Sequence, residues 1–199
     1  MVQSLSSHRV GIDKNERYVS RAAYKLESVA DSLKLDFSNK VVIDVGSSTG
    51  GFTDYALAHG AIKVVAVEKG TNQISPLLLG NPRIELHEKT DIRNFNTNLM
   101  ADLILIDVSF VSLRDILPDI VRLSSKKTLI IAMAKPQFET KLDNQKNQGV
   151  IKNERIRREI LNDLELGLKQ RFVLLAKADS KISGLKGNKE RFYKLTIKY

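Results

Sequence analysis

Cysteine is absent from the 199 residues and histidine occurs three times. Without thiols the chain has no disulfide scaffold, no thiolate metal site and no cysteine nucleophile, and three scattered histidines do not make a zinc site, so no metal is expected. No charged-then-apolar leader opens the chain, and no apolar run approaches the length of a bilayer crossing. The expectation is therefore a cytoplasmic protein without a membrane partner. Internal repeats and low-complexity tracts are also missing. Acidic residues are outnumbered, with 32 Lys and Arg against 23 Asp and Glu, a net charge of +9 and a pI near 9.7. That excess suits a polyanionic partner such as nucleic acid, or serves solubility alone.

What is present reads as one well-buried domain. Residues 1–16 are polar, offer no packing face and are expected to form a flexible lead-in, with the domain over 17–199. Spacing of Ala22, Leu26, Val29 and Leu33 predicts a helix over 20–33. Strands are predicted at 40–45, 63–68, 84–88, 101–107 and 128–135, with helices at 51–59, near 73–79 and at 113–123. Such alternation is the pattern of an open, mostly parallel α/β sheet with helices on both faces. Beyond it, Ile156, Ile160, Leu164 and Leu168 mark one face of a long amphipathic helix. Two strands, 171–178 and 191–199, close the chain, the last alternating as an edge or antiparallel strand does. Residues 136–152 form a long polar loop directly after a strand end, a place where function tends to concentrate.

In open α/β sheets ligands bind beyond the carboxyl ends of the strands. Five successive predicted strands end in or lead to a charged residue here: Asp44, Glu68, Asp91, Asp107 and Lys135. Each alone reads equally well as a helix cap or a solvated charge. Glu68 lies 24 positions after Asp44, near the spacing at which an acid clasps the ribose of an adenosine cofactor. A nicotinamide dinucleotide and a methyl donor both fit that spacing. The loop after the first strand reads G-S-S-T-G-G, with Ser48 where the dinucleotide fingerprint has its second glycine. S-adenosylmethionine carries no phosphate and does not need that open backbone, so the loop favours the methyl donor.

"YVSRAAYKLE", "IDVGSSTGGFTD", "DLILIDVSFVSLR", "AKPQFE" and "GLKGNKERF" resemble, in order and spacing, the haemolysin-A-like (TlyA-type) branch of the FtsJ-like ribosomal RNA methyltransferases, from about Tyr18 onward. The resemblance implies a Rossmann-like class I methyltransferase fold, a mostly parallel seven-stranded sheet with an antiparallel last strand. It implies methyl transfer from S-adenosyl-L-methionine to a ribose 2′-hydroxyl of ribosomal RNA, free or in ribosomal subunits. The family's catalytic set falls on Lys25, Asp107, Lys135 and Glu190, and its cofactor pocket on Asp44, Gly46, Ser47, Gly50, Gly51, Phe52, Glu68, Asp91 and Asp107. RNA contacts are expected from Arg17, Arg21, Lys186, Asn188 and Arg191, with Lys141, Lys146, Lys152 and Lys189 in the same flanking segments. Many members carry an S4-type RNA-binding domain ahead of this region; here at most about 16 residues precede the match. Ala22 and Ala23 stand where members often have glycine.

A ribose hydroxyl is a poor nucleophile until its proton has an acceptor. Lysine is a base only when neutral, a state favoured by a dry crevice and by nearby positive charge from a sulfonium and Lys25. Lys135 is the expected general base, Asp107 its orienting partner, and Glu190 the residue that holds Lys25. Phe52, Phe110 and Phe138 are expected in the crevice wall or core. A catalytically silent RNA-binding module of the same fold is the alternative. A membrane-lytic protein would show an apolar segment beyond core needs, and none is present.

Overall fold

The protein is described from a computed structural model that covers residues 17–140, 149–184 and 186–198. The predicted lead-in over 1–16, Lys141 and Lys146 lie outside the described residues. Seven strands, β1 (Val41–Val45), β2 (Lys63–Val67), β3 (Ile84–His87), β4 (Leu103–Ile106), β5 (Leu129–Ala134), β6 (Phe172–Asp179) and β7 (Arg191–Ile197), form one sheet in the order 3-2-1-4-5-7-6. The first five strands are mutually parallel, and β7 runs antiparallel to both β5 and β6. β7 is therefore an interior strand, and β6 forms the edge.

Residues of β1 to β5 are almost all apolar because both sheet faces are covered. Alternate positions of one strand serve opposite cores. Val42, Val64, Leu103 and Ile131 pack with Leu26, Val29, Phe52 and Tyr55, which belong to α1 (Arg21–Ala30) and α2 (Gly51–Ala58). Ile43, Val65, Ile104 and Ile130 pack on the other face with α3 (Leu113–Arg122) and α5 (Glu154–Leu168). A fifth helix, α4 (Pro136–Glu139), is a single turn directly after β5. Among the described residues no helix is long and apolar enough to cross a membrane.

Three sequence expectations are corrected. No helix forms over 73–79, where Pro76 lacks an amide hydrogen and its ring disfavours helical backbone at Ser75. Ile74 and Leu78 of this segment lean over Gly50, close to where a β-carbon there would sit. The buried face of α5 keeps Ile160, Leu164 and Leu168 of the predicted stripe but is wider and leaves Ile156 at its margin. It comprises Arg157, Ile160, Leu161, Leu164, Glu165 and Leu168, and Ile156 is 36% exposed. Two charged residues on the core side lay outside the apolar reading. The segment expected to be loop throughout begins with the turn of α4.

Candidate active site

The sheet order reverses between β1 and β4, and the loops leaving their carboxyl ends part there. Gly46 follows β1 with φ +79, and a β-carbon on it would stand 2.8 Å from the Asp107 carbonyl oxygen. Only glycine lets the β1 loop lie this close to the β4 loop. Beside that contact opens a cavity of about 540 Å3, its wall including Gly46, Ser48, Glu68, Asp91, Asp107 and Phe110.

Glu68, Asp91 and Asp107 stand in this wall among apolar side chains and the basic Lys69 and Arg93, and each carboxylate is held. Glu68 accepts from the Ser48 amide at 2.9 Å and the Gly70 amide at 2.6 Å. Asp91 takes a two-pronged contact from the Arg93 guanidinium (2.9 and 2.6 Å) and lies 3.3 Å from the Lys69 amine. The Arg93 hydrogen bonds hold the Asp91 carboxyl well below the usual carboxylate range. Asp44 is fully buried in β1, where Thr53 Oγ1 donates to its Oδ2 at 2.6 Å. Burial raises its carboxyl to about 7, against the Thr53 hydrogen bond and with repulsion from Asp107 and Glu68. Its Oδ1 and the buried Ser47 Oγ accept no hydrogen bond among the described residues.

Two ion pairs stand at the same strand ends. Lys135 Nζ lies 2.6 Å from Asp107 Oδ1, with the side chains 11% and 16% exposed. Lys25 Nζ lies 2.6 Å from Glu190 Oε2, at 12% and 3%. The antiparallel register pairs Ala134 with Arg191, so one step further Lys135 faces Glu190 across the β5–β7 ladder. The two pairs thus stand at neighbouring strand ends, supplied by the first helix, the ends of the fourth and fifth strands and the approach to the seventh.

The other expected site residues are placed as follows. Gly50, with φ +90, sits under Ile74 and Leu78, and Gly51 packs against Ala22 and Ala23 of α1. Phe52 is buried 6.0 Å from the Phe192 ring. Neither Gly51 nor Phe52 is in the cavity wall. Arg17 pairs with Glu27 and lies over the Tyr18 ring, and Arg21 donates to the Ser183 carbonyl at 3.1 Å. Lys186 is exposed. Asn188 is buried, accepting from the Ile151 amide at 2.9 Å. Arg191 forks onto Asp179 at 2.6 and 3.2 Å and is 16% exposed. These last two side chains face the protein's own loops and sheet.

Several site features had no clear sequence signal. Ser109 accepts from Lys135 Nζ at 2.7 Å. Glu139, 4% exposed, accepts from Ser112 Oγ and from the Leu113 amide at the start of α3, and burial raises its carboxyl. Phe110, expected in the crevice wall or core, is in the cavity wall, 83% exposed at φ +65, an uncommon conformation for an aromatic residue. No group of three or more His, Asp or Glu among the described residues converges to hold a metal ion.

Comparison with known proteins gives a consistent picture. The family described as FtsJ-like methyltransferase matches residues 18–196. The 23S rRNA (cytidine-2′-O)-methyltransferase TlyA of Campylobacter jejuni is 39% identical over 181 residues, 90% of this chain and 71% of that protein. A hemolysin-named protein of Lactococcus lactis with a solved structure is 33% identical with a TM-score of 0.83, over 90% of this chain and 88% of that one. The N-methyltransferase NodS of Bradyrhizobium japonicum, 11% identical with a TM-score of 0.61 over 89% of this chain and 99% of that one, shares the fold alone.

Proposed function

The chain belongs to the FtsJ-like methyltransferase family, and from that premise we propose that residues 17–199 form a domain that methylates a ribose 2′-hydroxyl of ribosomal RNA in the cytoplasm, with S-adenosyl-L-methionine as donor. One observation carries the reading: two lysine–carboxylate pairs, Lys25–Glu190 and Lys135–Asp107, stand at neighbouring strand ends beside a cavity whose wall carries Glu68, Asp91 and Asp107. The substrate class follows the printed names of the relatives, among them a 23S rRNA (cytidine-2′-O)-methyltransferase.

The cavity's residues fit the donor. Glu68 and Asp91 offer carboxylate oxygens to ribose hydroxyls and an adenine amine. Gly46 keeps the wall open where a β-carbon would intrude on the Asp107 carbonyl, and the three wall carboxylates set among apolar side chains suit a ligand with an apolar ring and a positive charge. Bound there, the donor would supply a methyl carbon made electrophilic by its sulfonium, which becomes a neutral thioether once the methyl group has passed to oxygen. Lys135 accepts the hydroxyl proton at Nζ as the new carbon–oxygen bond forms. Asp107, 2.6 Å away, orients that amine and balances the ammonium that results. Lys25, fixed by Glu190, holds the ribose or its phosphate in line, and alignment of this kind contributes a large share of the rate.

Labelled donor incubated with ribosomal RNA and with ribosomal subunits, followed by digestion to nucleosides, should place label on ribose. Lys135→Ala should lower single-turnover transfer by about 10²-fold or more, the usual contribution of a positioned base, and leave donor affinity within a few-fold by calorimetry. Label on a base, or equal transfer by the variant, overturns the reading. RNA binding without donor binding would instead identify the silent RNA-binding module.

A further inference from the structure

We propose that Ser109 is a positioning residue that aims the lone pair of Lys135, a role that rests on the reading of Lys135 as general base. Ser109 lies in the β4–α3 loop, lines the cavity, and its Oγ accepts from Lys135 Nζ at 2.7 Å. Asp107 Oδ1 stands 2.6 Å from the same nitrogen as an ion-pair contact, but takes no aligned hydrogen bond among the described residues. Asp107 thus orients the amine by charge alone, and Ser109 supplies the aligned contact. A neutral amine has two N–H donors and a lone pair. With one N–H held by Ser109, rotation about the Cε–Nζ bond is restricted, and so are the directions in which the lone pair can point.

The surrounding contacts make Ser109 a fixed point. Residues 109–113 lie alongside residues 135–139, joined at three levels. Lys135 meets Asp107 and Ser109, the Phe110 ring lies 5.1 Å from that of Phe138, and Glu139 takes Ser112 Oγ at 2.5 Å and the Leu113 amide at 3.0 Å. Phe110, next to Ser109, holds φ +65, a strained conformation of the sort that persists where surrounding contacts over-determine it. In the transfer step the proton passes from the 2′-oxygen to this lone pair as the oxygen gains its methyl group. The third N–H then turns toward the former substrate side, and Asp107 balances the new charge.

The test uses the full chain with its best ribosomal substrate and compares Ser109→Ala and Ser109→Thr with wild type. Ser109→Ala should lower kcat about tenfold or more, with KM for RNA and the affinity for S-adenosylhomocysteine each within about threefold. Ser109→Thr keeps the hydroxyl and should restore most of the lost rate. Unchanged kcat in Ser109→Ala, a loss confined to KM or to ligand affinity, or a loss that threonine does not recover at equal thermal stability, overturns the proposal. Lys135→Ala run in parallel separates the two readings. If that variant transfers methyl groups at the wild-type rate the general-base reading fails, whereas loss in Lys135→Ala with none in Ser109→Ala sinks only the role of Ser109.

Discussion

At the scale of single residues, Asp44 gives the sharpest test of the site's electrostatics. Its carboxyl keeps a proton up to about pH 7 in the folded protein, against an ordinary value of 3.8. Between those two values the folded state binds more protons than the unfolded one, so this group makes the fold less stable as pH rises through the window. Asp44→Asn carries no such charge. Its Tm should match wild type near pH 4 and exceed it increasingly toward pH 7, read by thermal unfolding at each pH; a constant difference would mean that Asp44 is ionised throughout. The sequence announced the charged strand ends, and the structure brings Lys25 to Glu190 and Lys135 to Asp107. Spacing could not announce which polar residues turn inward. Asn188 and Arg191 were expected to face RNA, yet they bind Ile151 and Asp179, because these partners are distant in sequence and leave no local pattern. Ser109 and Glu139 were silent for the same reason, each acting on a loop some 26 residues away.

At the scale of elements, the contact between α1 and α2 rests on a missing side chain. A β-carbon at Gly51 would come within 2.9 Å of Ala22 Cβ and 3.1 Å of the Ala23 amide nitrogen. Alanine is the better helix former by about 1 kcal/mol, whereas overpacking of this kind costs about 1–3 kcal/mol. Gly51→Ala should therefore lower Tm by several degrees, and because α1 carries Lys25, methyl transfer should fall with it; an unchanged Tm would mean that the two helices part at no cost. Strands were the most legible elements, since a sheet covered on both faces needs unbroken apolar runs and β4 and β5 have them. Helices were less so. Ile74 and Leu78 have helical spacing but Pro76 between them, and they serve as a cover for the glycine loop instead. The face of α5 was legible at Ile160, Leu164 and Leu168 but not at Arg157 and Glu165, which are buried and paired, Arg157 with Asp179 at 2.9 Å and Glu165 with Lys177 at 2.8 Å. A hydropathy stripe assigns such residues to solvent.

At the scale of the whole molecule, the net charge of +9 separates the two ligands. A polyanion releases condensed counterions when it meets cationic side chains, and a donor without phosphates does not. Association with ribosomal RNA should weaken by about 10³-fold or more between 50 and 200 mM salt if six or more phosphates are contacted. Affinity for S-adenosylhomocysteine should move by less than about threefold over the same range. Filter binding and calorimetry measure the two, and equal salt dependence would show that charge does not recruit the RNA. The class of fold was legible at this scale from the alternation of strands and helices. The slot taken by the final strand was not, because an alternating strand of that composition fits an edge as well as an interior position.

That slot bears on how the protein matures. β7 inserts between β5 and β6, and the residue just ahead of it is Glu190, the partner of Lys25. A nascent polypeptide still short of residue 190 has two unzipped sheet margins where β7 will go, and its first helix carries a lysine without its counter-charge. Seating that strand is thus the step that closes the sheet and gives Lys25 its partner, and it can come only after every other strand has been made.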